Sequence, residues 1–302
     1  MASPSEAAPA PRRVLVTGLG GFTGRYVADE LVQAGYQVVG LGEGAGDAGS
    51  TLDLCDKQAV AEWVGAQQLD AVIHLAAIAF VAHGDVDAIY RTNVVGTRNL
   101  LEALTNAAVK PRVVVLASSA NIYGNAEVEP ITEDTPASPM NDYAVSKLAM
   151  EYMARLWADR LPLVVLRPFN YTGVGQASQY LIPKIVSHYR QGLREIELGN
   201  TEVVRDFLDV RDVASLYRRL LDAAPIGATF NACSGRGHSL AEVIDLLSEL
   251  AGYRIAINVN PAFVRANEVK RLVGSHERIA QALGGFAPRP LSETLRWMYE
   301  SA

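Results

Sequence analysis

Tyr143-Ala144-Val145-Ser146-Lys147 sets a phenol and an ammonium four residues apart. On a helix, positions i and i+4 share a face. A nearby ammonium stabilises a phenolate, so such a pair can work as an acid or base near neutrality. With twelve Tyr and five Lys in 302 residues, chance gives well under one such pair, although a surface Tyr–Lys pair has the same spelling. A second candidate is Ser118-Ser119-Ala120-Asn121-Ile122-Tyr123-Gly124, which follows the β-branched run 113–117. Small hydroxyl residues at the carboxyl end of a strand can donate to a substrate oxygen; they also serve as turn or helix caps. The third is Thr17-Gly18-Leu19-Gly20-Gly21-Phe22-Thr23-Gly24, a G-x-x-G-x-x-G pattern. Between a strand and a helix, such glycines allow a tight turn and close approach to a pyrophosphate on the helix N-terminus.

The elements that must position these residues alternate. Order begins at Arg13. Val14-Leu15-Val16 reads as a buried strand. Residues 24–34 have helical spacing, with Tyr26, Val27, Leu31 and Ala34 on one face. A strand over 37–41, a Gly-rich loop over 42–49, a helix over 56–65 and a strand over 71–75 follow. A long helix over 87–107, a strand over 113–117, a helix over 143–160 and a strand over 163–166 complete the series. This alternation predicts an α/β fold, a doubly wound parallel sheet of Rossmann type with ligands at the carboxyl strand ends. Beyond Arg167 the pattern loosens, which predicts a smaller C-terminal α/β lobe sharing a cleft with the first.

Lys plus Arg number 27 and Asp plus Glu 33, a net charge of −6, so the chain has no global attraction for nucleic acid. Its longest apolar stretch, residues 71–82, contains His74 and is too short to span a bilayer. Cys55 and Cys233 are far apart, so no zinc site or disulfide framework is read and no metal is expected. A reducing, cytoplasmic setting fits. Residues 1–12 lack the basic and apolar regions of a signal peptide and read as a disordered tail. His74, at the end of an apolar strand, reads as a satisfied structural histidine.

Together with Asp53-Leu54, Val72-Ile73-His74-Leu75-Ala76-Ala77, Asn93-Val94-Val95-Gly96-Thr97, Arg167-Pro168-Phe169-Asn170 and Arg205-Asp206-Phe207-Leu208-Asp209-Val210, these motifs resemble the extended short-chain dehydrogenase/reductases of the nucleotide-sugar branch. The resemblance implies that Ser119, Tyr143 and Lys147 are catalytic, with Tyr143 protonating a carbonyl oxygen as hydride arrives and Lys147 binding ribose and lowering the Tyr pKa. It implies cofactor contacts at Gly18, Gly21, Phe22, Thr23, Gly24, Glu43, Asp53, Leu54, Leu75, Ala76, Ala77 and Asn93, besides Tyr143 and Lys147. Ser118, Ser119, Asn170, Lys184, Arg205, Arg265 and Glu268 are the implied substrate contacts, the arginines on a diphosphate; Glu268 stands where the family usually has Asp. Residues 13–170 then form the NAD(P)-binding domain, with about 206–233 returning to it. Residues 171–205 and 234–302 form the nucleotide-sugar lobe.

Within the branch, Arg167 through Gln176, Asn231 through Gly237 and Val273-Gly274-Ser275 look like GDP-4-keto-6-deoxy-D-mannose reductases, which make GDP-D-rhamnose for polysaccharides. The loop over 78–85 departs from their usual polar composition, so a GDP-4-keto-6-deoxy-heptose is a second candidate substrate, and the C4 talose epimer a further product. Gly42 ends the second strand and Glu43 follows, which favours NADH over NADPH because a carboxylate repels a 2′-phosphate. A nucleotide-sugar 4-epimerase with tightly held NAD and a dinucleotide-sensing binding protein are the competing readings. A 4,6-dehydratase is disfavoured, since Ala120-Asn121 stand where that activity places an acidic pair. The family also implies a homodimer through the helices over 87–107 and 143–160, with Leu148, Tyr152, Arg155 and Leu156 as the available face.

Overall fold

The computed structural model describes residues 12–42, 49–79, 84–264 and 269–301. Its centre is a seven-stranded sheet in the order β10-β6-β5-β4-β1-β2-β3. The strands are β1 (Arg13–Thr17), β2 (Gln37–Leu41), β3 (Gly49–Ser50), β4 (Ala71–His74), β5 (Val114–Ala117), β6 (Leu163–Pro168) and β10 (Thr229–Ala232). All pair in parallel. A parallel sheet covered on both faces demands strands apolar on both sides, and β4 and β5 are buried throughout.

Side-chain alternation divides the core. Val14 and Val16 of β1, with Val115 and Ala117 of β5, pack beneath α1 (Phe22–Gln33) and α7 (Val210–Ala223). Leu15, Val114 and Leu116 face the other way, toward α4 (Thr97–Asn106) and α5 (Asp142–Arg155). The side chains of Val60 and Val64 from α2 (Lys57–Gly65) join this second layer. Asp56 and Asn141 cap α2 and α5 by accepting from Ala59 N and Ala144 N. The chain order reverses between β1 and β4, and that switch point opens the crevice in which an α/β sheet takes its ligand.

The predicted helix over 87–107 is three pieces. They are α3 (Val86–Tyr90), a π-helical segment Arg91–Gly96 and α4. One extra residue per turn brings Asn93 inward, a change that hydrophobic periodicity cannot register. The α1 helix begins at Phe22, two residues before its predicted start, because Gly21 in an extended conformation is its N-cap. The α5 helix ends at Arg155; tight turns follow instead of a helix to 160. β3 begins at Gly49, the last residue of the span read as a loop.

After β6, β7 (Asn170–Thr172) leaves the main sheet and pairs with β9 (Val204–Asp209), which also pairs with β11 (Gly237–Ser239) and β13 (Arg271–Leu272). β8 (Glu195–Leu198) and β12 (Ala256–Val259) form a separate pair. A third core joins α6 (Leu181–Arg190), α8 (Leu240–Ala251) and α10 (Leu291–Glu300), while α9 (Glu277–Ala282) packs near β10. Strand pairing of β7 with β9 thus sets Asn170 opposite Phe207, two residues from Arg205.

Candidate active site

The structure brings Ser119, Tyr143 and Lys147 together at the exit of β5. Ser119 caps the 3-10 turn Ala120–Tyr123, accepting from Asn121 N at 3.2 Å, and its hydroxyl lies beside the Tyr143 phenol. Burial pushes the Tyr143 pKa up; the Ser119 hydroxyl opposes that, while Tyr171 and Tyr180 nearby add to it. Lys147 is 2% exposed and donates from Nζ to the Ala117 carbonyl at 2.7 Å. Burial lowers its ammonium to about 8, with Glu151 acting the other way. The expected lowering of the Tyr143 pKa by Lys147 is therefore not what dominates here: desolvation moves the phenol upward from its ordinary value.

His74 is structural. Thr97 donates its single hydroxyl proton to the Asn93 carbonyl at 2.8 Å, so it must accept from His74 Nε2 at 2.7 Å. His74 Nδ1 then accepts from Thr17 Oγ1 at 2.7 Å, and Thr17 in turn accepts from Ala76 N at 3.1 Å. Burial holds the imidazole at about 3, with the Lys147 charge adding to it. The chain continues through Asn93, whose amide clasps Ile78 N and O at 2.9 and 3.1 Å and donates to Ser146 Oγ at 3.0 Å. Ser146 donates to the Tyr143 carbonyl at 2.7 Å. One run of hydrogen bonds thus joins the β1 and β4 exits to the backbone of α5.

The dinucleotide candidates sit at the switch point. Gly18 has φ +72°, and a Cβ there would lie 2.9 Å from Ala76 N. Gly21 offers no capping side chain, so the first-turn N–H groups of α1 face the crevice without intrahelical partners. That bare, glycine-floored helix end fits a dinucleotide pyrophosphate. Thr23 Oγ1 lies 2.8 Å from the Tyr171 hydroxyl, and Phe22 stacks on Tyr171 at 6.2 Å. Leu75, Ala76 and Ala77 follow β4 and are half-buried. Asp53 is exposed and accepts from Cys55 N; the Leu54 side chain is buried in the core near Gly96. Glu43 lies outside the described residues.

Of the substrate candidates, Asn170 has a buried Oδ1 without a hydrogen-bond partner, the kind of atom a ligand satisfies. Arg205 is 8% exposed and donates from Nη1 to the Val204 and Lys270 carbonyls at 3.0 and 3.3 Å. Lys184 donates to the Glu197 carbonyl at 2.6 Å and lies 4.8 Å over Phe263. Ser118, expected at the substrate, instead gives its proton inward to Glu151 at 2.5 Å, because strand alternation sends its side chain away from that of Ser119. Arg265 and Glu268 lie outside the described residues, as do residues 80–83 of the altered loop over 78–85. Among the described residues, no three His, Cys, Asp or Glu converge as a metal site.

Sequence reasoning passed over a buried pair behind the site. Arg167 Nε and Nη2 hold Glu151 at 2.9 and 2.7 Å, and Arg167 Nη1 donates to the Tyr123 hydroxyl at 2.8 Å. Glu151 stands four residues after Lys147, a spacing that was available as a signal.

The profile of the NAD dependent epimerase/dehydratase family matches residues 14–233. GDP-6-deoxy-D-mannose reductase of Pseudomonas aeruginosa is 35% identical over 296 residues, covering 94% of this chain and 95% of its own. GDP-6-deoxy-D-talose 4-dehydrogenase of Aggregatibacter actinomycetemcomitans is 32% identical over 275 residues, covering 90% and 91%. A crystal structure from Burkholderia cenocepacia J2315 has a TM-score of 0.90 at 50% identity, over 96% of this chain and 98% of its own. RMD from Pseudomonas aeruginosa complexed with NADPH has a TM-score of 0.83 at 34% identity, over 95% and 97%.

Proposed function

The chain belongs to the NAD dependent epimerase/dehydratase family, and on that premise we propose that it reduces the C4 ketone of a GDP-4-keto-6-deoxy sugar of mannose type, giving GDP-D-rhamnose. The observation that carries the reading is the convergence of three buried side chains at the exit of β5: the Tyr143 phenol beside Ser119, with Lys147 one helical turn away. The relatives named for GDP-6-deoxy sugars support the substrate class.

When bound, a reduced nicotinamide supplies the hydride. Gly18, Gly21 and Gly24 with the start of α1 would hold its pyrophosphate, and Lys147 its ribose. Tyr143 gives its proton to the C4 oxygen as negative charge builds there, and an ammonium at Lys147 would oppose the burial that holds the proton on the phenol. Ser119 hydrogen-bonds the same oxygen, an interaction that strengthens as charge develops. Asn170 and Arg205, brought near one another by β7 and β9, bind the diphosphate. Lys184 contributes from α6. Residues 13–170 with 206–233 serve the cofactor, and the remainder the nucleotide sugar.

We assign a homodimer to the same reading. Tyr152 on α5 and Leu156 at its C-cap are 58% and 71% exposed, with Val145 beside them and Val86 and Val95 on the neighbouring segment. Arg155 lies over Tyr152 at 4.7 Å. Leu148 turns inward instead, against the cluster of Ile122 and Tyr123. Polysaccharide synthesis in the cytoplasm completes the reading; no described helix is long and apolar enough to cross a membrane.

The test is absorbance at 340 nm with GDP-4-keto-6-deoxy-mannose and either NADH or NADPH. Loss of signal supports the reductase and shows the preferred cofactor. A folded, cofactor-binding protein that leaves the signal unchanged contradicts it.

A further inference from the structure

One face of α5 grips three consecutive residues at the exit of β5. Tyr143 lies beside Ser119, Lys147 holds the Ala117 carbonyl at 2.7 Å, and Glu151 accepts from the Ser118 hydroxyl at 2.5 Å. The three helix residues stand four apart, so they line one face. Two of the three have roles in the proposed chemistry. Glu151 does not reach the substrate cleft: its side chain is 3% exposed, and Arg167 takes both of its oxygens. An ion pair of purely structural purpose needs only Arg167. The bond from Ser118 turns the same carboxylate toward the strand end that carries Ser119.

We propose that Glu151 is a positioning residue for the reduction, fixing the peptide that presents Ser119 and setting a negative charge one helical turn behind Lys147. The proposal rests on the reductase reading. Tyr143 and Glu151 flank Lys147 on α5 and His74 on β4 feels its charge, while Tyr123 in the 3-10 turn and Arg167 on β6 stand behind Glu151. Tyr143 and Tyr123 are held protonated by burial, and His74 neutral. Arg167 adds positive charge, so Glu151 is the one group of this set that favours the ammonium. Burial works against that ammonium, and Glu151 offsets part of the effect.

The experiment is the pH profile of kcat/KM for the full chain, with thermal melts, for Glu151→Gln, Glu151→Asp and Ser118→Ala. Glu151→Gln keeps an acceptor for Ser118 but removes the charge, so its alkaline limb moves down by about one pH unit. Glu151→Asp keeps the charge and the limb. Ser118→Ala leaves the ion pair intact and loosens the peptide, which lowers kcat roughly tenfold at unchanged KM. A folded Glu151→Gln with the wild-type limb, or Ser118→Ala with wild-type kcat, overturns the proposal. If Glu151→Gln shows no cooperative melt, because Arg167 is left buried and unpaired, Ser118→Ala decides alone. A wild-type chain that oxidises no NAD(P)H overturns the reductase reading and this proposal with it; an active wild type with unmoved variants overturns this proposal alone.

Discussion

Gly24 leaves no room between its Cα and the carbonyl oxygen of Gly18: a Cβ there would collide with that oxygen and lie 2.7 Å from Leu19 Cα. Both obstacles are backbone, so neither can swing aside. The turn after β1 and the first turn of α1 are therefore a single close-packed unit, closed on the β4 exit where Gly18 meets Ala76.

Gly24→Ala is expected to cost about 1–3 kcal/mol of stability through overpacking and to weaken NAD(P)H binding at least roughly tenfold. Urea unfolding and a cofactor fluorescence titration read the two effects. Wild-type values in both would mean that the turn does not cradle the cofactor.

Tyr143→Phe keeps the ring and loses the transferable proton. Turnover should fall on the order of 10²-fold or more, while cofactor affinity stays near that of the wild type. A variant that retains turnover would assign the proton to another group.

The alternation of strand and helix from Arg13 to Arg167 was legible, because parallel strands buried on both faces spell themselves as short apolar runs between amphipathic helices. The glycine turn and the Tyr143–Lys147 spacing were legible for the same local reason. The π segment at Asn93 was not, since its extra residue is selected by the bonds to Ile78 and Ser146, contacts 15 and 53 residues away. Ser118 and Ser119 look alike in a string; only the pleat of β5 separates them, one toward Glu151 and one toward Tyr143. Tyr171 meeting Thr23 depends on β7 leaving the main sheet, a long-range event without a local signature.

His74 carries the expected pH dependence of stability. Its pKa falls from 6.5 when unfolded to about 3 when folded. The unfolded chain therefore binds a proton below pH 6.5 that the folded chain refuses. Stability from this group is complete above 6.5 and is lost as pH falls toward 3. The stability advantage of wild type over His74→Asn should shrink by about 1.4 kcal/mol per pH unit across that window. Parallel urea curves at pH 7 and pH 5 check it; a constant difference would mean that His74 protonates in the folded state.

Asn170→Ala removes a buried acceptor that has no protein partner. Stability should hold or rise by up to about 1 kcal/mol, while KM for the GDP sugar rises roughly tenfold, the loss of one good hydrogen bond. A fall in stability with unchanged KM would make Asn170 a structural residue.

The most direct test of the central claim is the fate of the transferred hydrogen. The full chain is given GDP-4-keto-6-deoxy-mannose and NAD(P)H deuterated at the nicotinamide C4 on either face, and the product is examined by NMR. The account predicts one deuterium at sugar C4 with one of the two labelled faces, and one oxidised cofactor per product. Recovery of the unreduced keto sugar with no cofactor oxidised, by a folded chain that binds cofactor, would contradict the reductase; interconversion of a 4-hydroxy nucleotide sugar with its C4 epimer, without net consumption of cofactor, would then identify an epimerase.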